Sequence, residues 1–97
     1  MSTYIILGNY TDQGIRNIKE SPDRLDAAKE VTKQLGAEMK EFYLTLGAHD
    51  FVTVTEAPDD ETAAKLVLTL GSLGNVRTTT LRAFTEGEYR NLIQGLP

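Results

Sequence analysis

The chain has 97 residues, a formal net charge of −4 and no cysteine. Its length suits one domain over 1–97 with an adequate but thin core. The acidic balance disfavours nucleic acid and anionic membranes as partners, and the missing thiols exclude disulfides, thiolate-held clusters and cysteine zinc sites. The composition, 40% hydrophobic and 25% charged, is that of a globular protein. No run approaches the ~20 apolar residues of a membrane span, and no secretory pattern opens the chain, so a cytoplasmic location is expected.

Taken in chain order, Tyr4 to Leu7 is a continuous apolar run of β-formers and reads as a central, two-sided strand. Gly8 to Gly14 is polar and glycine-punctuated, hence a loop, with a short helical turn near Ile15–Ile18. Ser21-Pro22 reads as a cap followed by a first-turn proline. Leu25, Ala28, Val31 and Leu35 then recur at helical spacing up to Gly36, the expected residue past the helix end.

Ala37 to Leu46 alternates as a strand, with Phe42, Leu44 and Leu46 on one side and Met39, Glu41, Tyr43 and Thr45 on the other. A short turn, Gly47-Ala48-His49, returns it through Asp50–Glu56, where Val52 and Val54 oppose Phe51, Thr53 and Thr55. Ala57-Pro58-Asp59-Asp60 opens a second helix with an apolar face of Ala63, Leu66, Val67 and Leu70, ended by Gly71. Val76 to Phe84 is a threonine-rich last strand. Thr85-Glu86-Gly87-Glu88 is a capping box that starts a short helix running to Ile93.

The order βαββαβ plus a C-terminal helix predicts an α+β, ferredoxin-like split βαβ fold with a four-stranded antiparallel sheet in the order 4-1-3-2. Both helices between strands then cover one face. The other face is expected to hold Tyr43, Phe51, Thr53, Thr55, Thr78, Thr80 and Arg82. Either water covers that face, or a second copy closes a dimeric α+β barrel over it. A one-residue slip of the last strand would exchange Arg82 with Leu81.

The segments Tyr4–Arg16, Phe42–Asp50, Glu56–Ala63 and Gly71–Phe84 resemble, in order, the bacterial GYD-domain family. The resemblance implies a homodimeric domain of dimeric-barrel type and no established activity. His49 stands where the family's signature has tyrosine, so a role for that hydroxyl does not carry over. Gly47 and Asp50 match.

Candidate chemistry is sparse. His49-Asp50 is the lone histidine–acid neighbourhood and gives a catalytic acid/base with its orienter, against a plain turn reading. Asn9, Tyr43, Phe51 and Arg82 are candidate ligand-binding residues, Arg82 as an anion anchor or else a partner of Glu41 or Glu56. One histidine and no cysteine give no metal set, and no cofactor motif occurs. Three functions follow: a small-molecule-binding or regulatory homo-oligomer, a cofactor-free oxygenase, isomerase or lyase acting on a small organic substrate, or a structural oligomer.

Overall fold

Runs of β-branched and aromatic residues set the strands. In the computed structural model, which describes residues 1–97, they form β1 (Ser2–Tyr10), β2 (Glu38–Leu44), β3 (Phe51–Ala57) and β4 (Val76–Ala83). The helices are α1 (Asp12–Arg16), α2 (Ser21–Gln34), α3 (Asp60–Ser72) and α4 (Glu86–Gln94), with a 3-10 turn at Ile18–Glu20. Every strand pairing is antiparallel, and the sheet order is β2-β3-β1-β4. The ferredoxin-like α+β fold is thus as expected, with β1 central.

α2 and α3 pack on one face of the sheet. Ala63 and Leu66 of α3 join Tyr4, Ile6, Ala37 and Ala57 in a small buried cluster, flanked by Val31, Leu35, Val67 and Leu70 at the predicted helical spacing. Leu66 is fully buried, a contribution of roughly 1.5–3 kcal/mol. The caps explain the helix limits. Asp59 accepts the Thr62 N–H at 2.8 Å, and Thr85 and Glu88 form the reciprocal capping box. Ser21 does not cap: it is the first helical residue of α2, and Glu20 before it makes no side-chain cap. α3 also runs past Gly71 to Ser72, because the left-handed position that stops it belongs to Gly74 (φ 85°).

The alternation within β3 and β4 is as predicted, but the faces are exchanged. Phe51, Thr53 and Thr55 pair with Gly8, Ile6 and Tyr4 and lie under the helices. Thr78, Thr80 and Arg82 pair with Gly8, Ile6 and Tyr4 from the other side, so they share that face too. The open face instead carries Ile5, Leu7, Val52, Val54, Leu81 and Tyr43. The β-propensity of threonine suits a strand on either face, so it does not determine which side the helices cover. A bulge at Lys40 also turns Met39 to the side of Phe42 and Leu44, against strict alternation.

Two parts of the chain lack a partner within it. The open sheet face is one. α4 is the other: it has no buried residue, Tyr89, Leu92 and Ile93 share one side of it at helical spacing, Leu96 follows just past its end, and each is half or more exposed. The radius of gyration is 14.6 Å, against about 12.5 Å for a compact chain of this length. The accessible surface is 6510 Å², about 1,000 Å² more than a folded monomer of this mass should expose.

Candidate functional site

A cavity of about 510 Å³ lies between the sheet and the N-terminal half of α2. Its sheet side is a tier of aromatic rings. Phe51 stacks on Phe42 with centroids 5.5 Å apart and tilts against Tyr10 at the same distance. Gly8 makes this tier possible, since a Cβ there would sit 2.0 Å from Phe51 Cζ. Leu25 and Ala28 of α2 and Leu70 of α3 close the helix side. The wall holds no histidine and no carboxylate. Its one charge is Arg24.

The predicted site residues do not converge here. Phe51 alone of the six lines the cavity. His49 and Asp50 fasten the β2–β3 turn to the end of β1. The Asp50 carboxylate accepts the Tyr10 N–H at 2.8 Å, and the Asp50 N–H donates to the Gly8 carbonyl at 2.8 Å. The strand pairing is thereby extended one step past β3. His49 Nδ1 lies 3.0 Å from Asn9 Oδ1, and Asn9 Nδ2 donates to the Ala48 carbonyl at 2.9 Å. His49 and Asn9 therefore meet each other, while Asp50 is occupied by backbone. As adjacent strand-end residues, His49 and Asp50 do not form a dyad.

Tyr43 and Arg82 lie elsewhere. Tyr43 is exposed on the open face and donates to the Glu41 carboxylate at 2.7 Å, which raises its phenol pKa. Arg82 is at the opposite end of the sheet, with its guanidinium over Phe84 (4.5 Å) and Tyr4 (5.8 Å) and a hydrogen bond to the Ala83 carbonyl. Neither predicted carboxylate partner, Glu41 or Glu56, forms an ion pair with it. Tyr4 is buried beneath and donates to Asp60 at 2.5 Å; burial, then that carboxylate, pushes its phenol up.

No three of the potential metal-ligating side chains gather to share an ion. No helix is long and apolar enough to cross a membrane. Arg24, Tyr10 and Phe42 line the cavity but are not among the candidate site residues the sequence offered. Their signal was faint: Ser21, Arg24, Leu25 and Ala28 repeat at helical spacing, one turn ahead of the stripe that packs the core.

The sequence profile of the GYD domain matches residues 4–93. A Thermus thermophilus protein described as "glutamine synthetase and cystathionine beta-lyase binding protein" is 38% identical over 84 residues, covering 86% of this chain and 88% of that one. Among solved structures, TTHA0845 from Thermus thermophilus superposes with a TM-score of 0.57 at 28% identity, covering 88% of this chain and 95% of that chain. MtbAldR superposes with a TM-score of 0.68 at 19% identity, covering 88% of this chain; this chain spans about half of MtbAldR (52%) and shares its fold.

Proposed function

We propose that this chain, which belongs to the GYD domain family, works as a homodimeric regulatory binding protein whose target is an enzyme. The observation that carries the dimer is the surplus of exposed surface, about 1,000 Å² beyond a folded monomer of this mass, close to the ~800 Å² that each partner contributes to a standard interface. Its two contributors suit one remedy. A second copy placed face to face would cover Ile5, Leu7, Val52, Val54 and Leu81, and α4 of each copy would lay its apolar stripe on the other. The same reading includes action in the cytoplasm and a small organic ligand in the cavity.

The enzyme partner comes from the Thermus relative, whose description names glutamine synthetase and cystathionine β-lyase. Binding is favoured over turnover by the cavity wall, which neither histidine nor carboxylate reaches. A purely structural oligomer would have no use for a cavity of this volume, which falls within the range of roughly 300–1,000 Å³ typical of ligand pockets.

Calorimetric titration of this protein into purified glutamine synthetase and, separately, cystathionine β-lyase tests the enzyme partner. Saturable binding to at least one, with a micromolar or tighter Kd, is expected. Silence with both at high micromolar concentration would remove enzymes of this kind as targets.

A further inference from the structure

Arg24 is the one charged residue in the cavity wall. Of the five N–H donors a guanidinium carries, two are engaged: Nη1 donates to the Asn17 carbonyl at 2.9 Å and Nη2 to the Gly14 carbonyl at 3.2 Å. No carboxylate pairs with it, since the ion pairs of the chain belong to Lys40, Lys65 and Arg90. Neutral oxygens thus hold the group in place without neutralising it, and three N–H donors remain unengaged by the chain. A fixed cation without a counter-ion, beside a largely apolar cavity, is suited to an anion that carries an apolar body.

The rest of the wall narrows the class. The aromatic tier of Phe42, Phe51 and Tyr10 offers ring faces and edges on which another ring packs. The absence of any Asp or Glu in the wall matters as much. A free α-amino acid would bring an ammonium group with no carboxylate in the wall to receive it. A neutral aromatic alcohol would leave Arg24 uncompensated.

We infer that the cavity binds an aromatic monocarboxylic acid lacking an α-amino group, its ring against Phe51 and Phe42 and its carboxylate on Arg24. This rests on the binding reading of the cavity, but not on the dimer or on an enzyme partner. The anion anchor is then Arg24 of α2 and not Arg82, which lies at the far end of the sheet beside Tyr4.

The test is a titration of the full-length ¹⁵N-labelled protein with three probes, 3-phenylpropionate, 3-phenylpropanol and L-phenylalanine, followed by amide shifts. Saturable binding of the acid is expected, with shifts centred on Leu25, Ala28, Phe42 and Phe51. The alcohol and the amino acid should bind at least tenfold more weakly, as should the acid to Arg24→Gln. Ala28→Phe fills the cavity while leaving Arg24 in place, and should abolish binding. An acid that fails to saturate at millimolar concentration, binds no tighter than the alcohol, or ignores both substitutions would overturn the assignment. Should either variant unfold by circular dichroism, the three-probe comparison on the unmodified chain decides alone. Enzyme binding is measured separately, so its failure leaves the outcome of this titration intact.

Discussion

The two faces of the sheet differ in a way opposite to simple expectation. The face under the helices carries Gly8, Thr53, Thr55, Thr78, Thr80 and Arg82 among its aromatics. The face with no covering element carries Ile5, Leu7, Val52, Val54 and Leu81. Small and hydroxylated residues suit the covered face, because there the sheet must leave room for Phe51 and Phe42 and for the cavity above them. The Thr53 and Thr55 hydroxyls satisfy each other at 3.2 Å, so their burial strands no polar group. The open face has an aliphatic centre of Ile5, Leu7, Val52, Val54 and Leu81, bordered by Thr79, Glu41 and Tyr43. An exposed aliphatic centre of this kind is what the proposed dimer would cover.

The sharpest way to break this contrast is a charge on the open face. Val54 sits mid-strand between Ile5 and Glu41. In the proposed dimer, Val54→Asp would bury an unpaired carboxylate between copies, a cost of about 3–5 kcal/mol, so the dissociation constant should rise by roughly a hundredfold to several thousandfold. Light scattering over a dilution series reads this. Far-UV dichroism should be retained, since the covered face is untouched.

The counterpart on the covered face is Gly8→Ala, which drives a Cβ into the Phe51 ring. A loss of about 1–3 kcal/mol in urea unfolding is expected, and Phe51→Leu in the same chain should return part of it. Self-association should be unchanged. Loss of the dimer with stability intact would reverse the roles of the two faces.

Smaller effects test α4. Thr85→Ala removes the capping box and should cost about 1 kcal/mol. In a dimer that loss appears in global unfolding; for a helix left in solvent it would appear only as local fraying.

The smallest effect is in pH. Backbone N–H donors hold Asp59 and Glu88 below their ordinary values of 3.8 and 4.5: that of Thr62, with its hydroxyl, for Asp59, and that of Thr85 for Glu88. A carboxyl whose folded pKa is depressed stabilises fully above its unfolded pKa and loses that stabilisation as pH falls through the folded one. The melting temperature should therefore decline as pH drops below about 4.5, and Asp59→Asn should make that decline shallower.

Most of the fold was legible because it rests on local signals. The helical stripe Ala63-Leu66-Val67-Leu70, the Thr85–Glu88 box and the turn at Gly47 each act within a few residues. Which side of β3 and β4 faces the helices was not legible, because a strand's alternation fixes two sets without saying which set is covered. The bulge at Lys40 likewise depends on pairing with Thr55 and Val54, partners distant in sequence. The site was harder still. His49, Asp50 and Asn9 drew attention as reactive types, yet their neighbours turn them into a clasp on β1. Nothing in its sequence neighbourhood sets Arg24 apart, and only the tertiary structure puts it in the cavity wall.

Molar mass in dilute solution is the most direct check on what covers the aliphatic face. Light scattering on the eluting protein at low micromolar concentration should give twice the 10.7 kDa of one chain. A mass of 10.7 kDa that persists to high micromolar concentration would mean that Ile5, Leu7, Val52 and Val54 remain in water, and the dimer would have to be abandoned.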